Sequence, residues 1–475
     1  MIKPLPEPTP STDPGAFWAA YLPSSAGPWN LQRVVHLHRR AGFAPTWNEI
    51  QRDLADGPKN SIDRLLGGKT TEGVPAEFAA TVALLADSAV QSRDPNRLKA
   101  CWIYRMLFGP DPLGERLTLL WHNHFATSNL KVEDLKLMLA QNEIFRELAR
   151  FPFARLLNKV VHHPALLLWL DAPANRKEHP NENLARELME LFTLGIGHYT
   201  EKDIKEAARA LTGWTVTDDV FYETKTAHDP GDKTILGHKG AWTGNDFIKF
   251  VLDHPATAER LAKRLCDMLL GDGVADVAAV KALADGLRQH DLDIGWGVEV
   301  VVRSQAFFAE VNLGKRIVGP VEFLVGSARS LEMFDKPPST LLLADWAARL
   351  GQDLFYPPNV GGWPGGRSWI TTQSMILRAN YAAELLRNAL RPDPSEDRSR
   401  APALFDALGL AERHGHGGNL EDALRFYAQL LLGRDLSPRL RQTILVALAG
   451  RAQDLAAAVR QGVTLILASP EYQLC

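Results

Sequence analysis

The run from Pro180 to Gly195 constrains this chain more than any other. It opens on Pro180-Asn181-Glu182-Asn183, continues as a strong helix pattern and stops at Gly195. At helical spacing Asn183, Glu187 and Glu190 share one face, while Leu184, Leu188 and Leu191 share another. Met189 and Phe192 make the flanks apolar as well, so this helix is expected to be covered on most sides. Carboxylates on a covered helix are costly unless they are paired, hydrogen-bonded or bound to a cation. Glu187 and Glu190 are therefore the first place to look for chemistry.

The rest of the sequence supplies helices to do the covering. Leu31 to Arg40, Ala76 to Ser92, Asn96 to Phe108, Leu113 to His124, Val132 to Arg150 and Ala154 to Val161 all carry helical periodicity or composition. Thr200 with Asp203 reads as a helix start close to a capping box. The period then changes. Trp214-Thr215-Val216-Thr217 alternates, Asp218-Asp219 reads as a turn, and Val220 to Lys225 alternates again, which predicts a β-hairpin. Gly231, Gly237, Gly240 and Gly244 punctuate a loop-rich lobe up to about residue 245. Helices resume from Asp246 to Leu270 and continue towards the end of the sequence. The expected fold is mainly α: a large irregular multi-helix domain with a small β-hairpin lobe.

In domain terms, residues 1–29 read as a disordered proline-rich tail. Residues 30–390 read as the main helical domain, with the hairpin lobe at about 214–245. Arg391 to Arg400, rich in proline and charge, reads as a linker to a helical subdomain at 402–475 packed on the main domain. Hydrophobic content of 45% is ample for a large core. A net charge of −3 without a long basic run argues against a nucleic-acid surface. The three cysteines, Cys101, Cys266 and Cys475, are far apart and suggest neither a disulfide framework nor a cysteine zinc site. No stretch is long and apolar enough to span a bilayer, and no secretion signal is read, so the default expectation is a cytoplasmic protein.

Five groups of residues carry candidate chemistry. His122 and His124 offer imidazoles for a metal or for proton transfer. Residues two apart on a regular helix point in nearly opposite directions, so both bind one metal only where the chain turns outward at a helix end. Asp171 follows an apolar run and precedes Asn175, Asn181, Glu182 and Asn183, a set of oxygen ligands suited to a hard cation. Equally, those asparagines can cap their own backbone. Arg186 lies at helical spacing from Glu182 and Glu190, and a charge ladder that fixes register explains it as well as a site does. His228-Asp229 sits in the loop lobe, though adjacent side chains rarely face each other. Finally, the rigid loop from Pro357 to Gly366 presents Trp363, with Trp369 close behind. These tryptophans can stack on a sugar ring, line a cleft or plug a core.

Together these blocks resemble a large bacterial family catalogued as domain of unknown function 1800. The resemblance rests on Arg40 to Thr46, on Glu115 to Ser128, on His163-Pro164-Ala165 with Leu170-Asp171, and on Pro180 to Gly197. It extends through Ala208 to Trp214, His228-Asp229, Pro357 to Gly366, and Ala468 to Gln473. It covers nearly the whole chain from about residue 30. Two departures stand out: Ala44 replaces a glycine that the family usually carries, and a leader of the kind that makes many relatives look exported is not read here, which leaves the compartment open. The resemblance implies a mostly helical fold. It also implies a partner or shared pathway with a sulfatase- or phosphatase-like protein encoded nearby. It supplies no activity.

The expected function is a metal-assisted hydrolase or lyase, acting on a glycan-like substrate. Glu187, Glu190, His124 and Asp171 would be the catalytic groups. His122, His124 and Glu187 would hold a divalent metal ion, and Trp363, Trp369, Arg186 and Asn183 would bind substrate. The rival expectations are a non-enzymatic scaffold or maturation partner for a neighbouring enzyme, and a glycan-binding module.

Overall fold

The structure is a computed structural model that describes residues 13–68, 74–390, 404–449 and 454–475. It is mainly α-helical. The two small sheets are antiparallel pairs. The first hairpin pairs β1 (Trp214–Thr217) with β2 (Val220–Glu223) in the register Trp214 to Glu223. Asp218 and Asp219, both at positive φ, make its two-residue turn. The lobe read from its glycines as loops holds a second hairpin. Here β3 (Lys233–Ile235) and β4 (His238–Gly240) join through Leu236 and Gly237, again both at positive φ.

Helix boundaries follow caps and prolines. Thr200 with Asp203 and Thr243 with Asp246 form reciprocal capping boxes. The helix expected from Asp246 to Leu270 is two helices, Gly244–Asp253 and Pro255–Leu269. Pro255 disfavours helical backbone at the residue before it, and His254 is extended, so the chain restarts there. The tail expected to be disordered is ordered from Asp13. Pro14–Trp18 is helical, the Trp18 indole donates to the Ala279 carbonyl, and Tyr21 pairs with the Arg303 carbonyl. Aromatic side chains at 17, 18 and 21 pack it onto the core, which a reading of its prolines overlooked. Residues 1–12 and the expected linker at 391–400 lie outside the described residues.

Among the described residues a small hydrophobic cluster gathers around Val82, Ala86 and Cys101, and two large ones form most of the core. One joins the helices after residue 404 to the centre of the chain through residues such as Val34, Leu324, Tyr381, Phe426 and Ile466. The other surrounds Leu117, Leu157, Leu188, Leu261 and Val298. The helix Pro112–Phe125 serves both, with Leu119 in the first and Leu113, Leu117, Trp121 and Phe125 in the second. No helix among the described residues is long and apolar enough to cross a membrane.

Candidate functional site

The Pro180–Gly195 segment is an α-helix from Asn183 to Glu187 that passes directly into a π-helical turn, Leu188–Thr193. Leu184, Leu188 and Phe192 are buried as expected, but Leu191 is only partly covered and both carboxylates lie at the margin of the core. Glu190 accepts from the Tyr199 hydroxyl at 2.9 Å. Glu187 has no hydrogen bond or ion pair among the described residues, and burial followed by the charge of Glu190 raises its pKa. Arg186 is taken up by Glu182 and Glu201, each at 2.9 Å. Asn183 donates to Asp171 at 3.1 Å, and Asp171 also pairs with Lys131 at 2.7 Å. Asp229 of the loop lobe is held bidentately by Arg209, and His228 donates to the Thr212 carbonyl.

The two histidines are separated. His122 is buried among Trp102, Phe355 and Trp363, with ring centroids 5.3, 5.4 and 5.3 Å away, and neither ring nitrogen has a hydrogen-bond partner among the described residues. Burial brings its pKa down to about 3. His124 packs against Trp121, Phe153 and Phe192 and donates from Nε2 to the Phe192 carbonyl at 3.0 Å. Burial, then the charges of Arg264 and Arg260, holds it well below the ordinary imidazole value. The expected metal set of His122, His124 and Glu187 is therefore not assembled. Among the described residues no group of three or more His, Cys, Asp or Glu side chains is placed to hold a metal ion. Both histidines lie inside the regular Pro112–Phe125 helix, and that helix sends them into different aromatic clusters.

The tryptophans point to a different place. Trp363 and Trp369 line a cavity of about 310 Å³. Its walls come from four stretches of chain. The Pro112–Phe125 helix contributes Arg116 and Asn123, and the Pro255–Leu269 helix contributes Arg264 and Asp267. Arg316 comes from the approach to the Pro320–Ser330 helix and Glu322 from its first turn, and Gln352 precedes the tryptophan loop. Asn123 fixes that loop, because its Oδ1 accepts from the Trp363 amide at 2.7 Å. The loop can approach so closely because Gly362 sits at φ 84°, where a Cβ would lie 2.5 Å from the Asn123 carbonyl oxygen.

The wall is rich in donors. Glu322 Oε1 takes both Arg116 and Arg316, the latter at 2.7 Å, and Oε2 accepts from the Gly319 amide at 2.6 Å. Burial alone would raise the Glu322 pKa; the two guanidiniums and the amide outweigh it and hold the carboxyl at about 2. Asp267 is paired one turn away with Lys263 at 2.6 Å. Arg264 has no ion pair or hydrogen bond among the described residues; burial lowers its pKa and the charge of Asp267 opposes that only in part. Arg116 Nε, Arg316 Nε and Trp363 Nε1 are buried with no acceptor among the described residues. Asn123 and Gln352 each commit the side-chain oxygen to a main-chain amide, of Trp363 and Val321, which leaves the NH₂ group as the free end. Such a wall complements oxygen acceptors and negative charge.

Arg116 and Trp363 lie in motifs singled out from the sequence. Arg264, Arg316 and Glu322 were missed. Their spacing along the chain carries no signal, since Arg264 and Asp267 read as an ordinary i, i+3 pair on a solvated face.

Fold and cavity together define a mainly helical protein with an arginine-lined interior pocket. The chain belongs to a family described as protein of unknown function (DUF1800), whose model matches residues 36–474. No curated protein and no solved structure matches it.

Proposed function

We propose that this chain binds an acidic, hydroxyl-bearing ligand, a charged sugar in the first instance, in the cavity between Arg264 and Trp363. One observation carries the reading: Arg264 is partly buried at the cavity wall and makes no hydrogen bond or ion pair among the described residues, with only the charge of Asp267 acting against the cost of its burial. A buried guanidinium left in that condition costs stability, and an anionic ligand offsets the cost. The indoles of Trp363 and Trp369 supply flat apolar faces beside those donors, suited to the C–H face of a sugar ring. The test is a titration of the protein with neutral, carboxylated, sulfated and phosphorylated forms of one sugar, followed by tryptophan fluorescence and calorimetry. Saturable binding of charged forms, weakened in Arg264→Gln, supports the reading. Absence of binding by every form overturns it and leaves the scaffold role.

A second reading, hydrolysis or lyase chemistry on that ligand, is favoured by Glu187. It is unpaired among the described residues, and its raised pKa suits a general acid. The Pro255–Leu269 helix links the two regions, because Arg260 interacts with Glu190 and Tyr199 while Arg264, one turn on, lines the cavity. Turnover that disappears in Glu187→Gln while ligand affinity persists would support this step; turnover unchanged in that variant would exclude it.

A further inference from the structure

We infer that the cavity is the first of two anion subsites in a row, that Arg260 makes the second, and that the ligand is an acidic oligosaccharide with a negative charge on successive sugars. The inference rests on the proposed binding role and extends its ligand beyond a single sugar.

The Pro255–Leu269 helix sets the row. Arg260, Arg264, Asp267 and Met268 stand at i, i+4, i+7 and i+8, which is one face of that helix. The last three line the cavity. Arg260 continues the same face by one turn, about 6 Å along the axis, past the edge of the cavity and towards the Pro180–Gly195 segment. Its Nε donates to the Leu191 carbonyl at 2.6 Å. That bond holds the guanidinium in place and leaves both terminal nitrogens without an acceptor among the described residues. The side chain is partly exposed, so a ligand lying along the helix reaches it.

Two guanidiniums on adjacent turns of one helix face oppose each other. Burial, then the charge of Arg264, brings the Arg260 pKa down to about 10. The nearby acids soften this repulsion without contact. Glu190 attracts Arg260 and Asp267 attracts Arg264. However, Glu190 accepts from the Tyr199 hydroxyl, Asp267 pairs with Lys263, and neither makes an ion pair with an arginine of the row. A ligand with a single acid engages one of these two forks. A ligand with acids on successive sugars engages both, because a turn of helix is comparable in length to one sugar unit.

The other groups along the row favour a sugar over an acidic peptide. At the cavity end stand the indole faces of Trp363 and Trp369. At the Arg260 end, Glu190 Oε1 and the Glu187 carboxylate have no hydrogen bond among the described residues and can accept from ligand hydroxyls.

The experiment titrates the full chain by calorimetry with two acidic series, galacturonate with its trimer and glucose 6-sulfate with maltotriose sulfated at each 6-position. Glucose with maltotriose is the neutral control, and triglutamate is the peptide control. The expected result is an acidic trimer at least about tenfold tighter than its monomer in one series or both, with little gain in the neutral pair. In Arg260→Gln that advantage should shrink to the neutral gain while monomer affinity stays as in the wild type. Arg260→Lys should recover part of it, which a mere loss of packing against the Leu191 carbonyl would not allow. Arg264→Gln should weaken monomer and trimer alike. Acidic trimers no tighter than their monomers, triglutamate as tight as the trimers, or an Arg260→Gln loss equal for monomer and trimer overturns this inference and leaves the binding role standing. No binding by any probe overturns both.

Discussion

Arg264→Met separates a binding residue from a structural one. The substitution keeps an unbranched stem of similar length and removes the charge. If Arg264 is held for a ligand, the free protein gains from its removal. Replacing a buried ion pair by apolar side chains of similar volume is neutral to about 4 kcal/mol stabilising, and a buried charge outside any ion pair has less attraction to lose. Arg264 is only partly covered and keeps some help from Asp267, so about 1 kcal/mol is the reasonable expectation here. Unfolding entropy of about 2.1 cal/mol/K per residue over 475 residues amounts to roughly 1 kcal/mol/K. The melting temperature should thus rise by about 1 °C, which scanning calorimetry resolves. Anion affinity should fall about 10- to 100-fold, the equivalent of losing hydrogen bonds from a charged donor. Arg316→Met is the contrast in the same assay. It strips one of the two guanidiniums from fully buried Glu322 and should cost about 3–5 kcal/mol, a drop of several degrees. A melting temperature for Arg264→Met that falls as far as that for Arg316→Met would refute the reasoning, because it would show Arg264 to be a structural partner.

Three further outcomes follow from the geometry. Glu322 has a folded pKa near 2 against an ordinary 4.5, so its contribution is present above pH 4.5 and is lost as pH falls towards 2; it amounts to about 3 kcal/mol. Urea midpoints of wild type and Glu322→Gln should therefore differ widely at pH 7 and converge below pH 3. His122 and His163 have folded values of about 3 and 4, so the folded state stays neutral while the unfolded chain takes up protons below pH 6.5. Stability should then decline on acidification by up to about 1.4 kcal/mol per pH unit for each, and His122→Phe should flatten the curve. Gly362→Ala places a Cβ against the Asn123 carbonyl at positive φ and should cost about 1–3 kcal/mol, with a red shift of tryptophan emission as the Trp363 loop lifts; unchanged emission would show that the loop does not depend on this contact.

Helices, hairpin and family were legible because their causes are local. Apolar residues at 3.6 spacing, Thr200 before Asp203 and the Asp218-Asp219 turn act within a few residues, and each is where its pattern places it. What failed was a step from pattern to surroundings. The leucines around Glu187 and Glu190 suggested that the carboxylates were enclosed as well. In the structure the face carrying them is the margin of the core, and the π turn at Leu188–Thr193, a product of packing with no sequence signature, sets where Glu190 meets Tyr199. The ordered stretch at 13–29 is hidden in the same way: the tail reading rests on the prolines of the first eight residues, whereas Pro14 opens a helix.

The physical premise behind that first reading nevertheless points to the right kind of residue. An ionised side chain taken from water without a partner is retained at a cost, and it marks a place where something else completes the pairing. Among acids the premise selects little here, because the buried ones are matched: Glu322 by two arginines, Asp53 by His38, Arg52 and Arg64, Glu115 by Arg146 and the Trp102 indole. Among cations it selects Arg264, whose neighbours in sequence, Lys263 and Asp267, pair with each other across one turn. No single-sequence pattern distinguishes an arginine beside a satisfied Lys–Asp pair from one on a solvated helix. The distinction appears only when the Trp363 loop and that helix line one cavity, and the position of the loop depends on a glycine at 362 and an asparagine at 123, far apart in the chain.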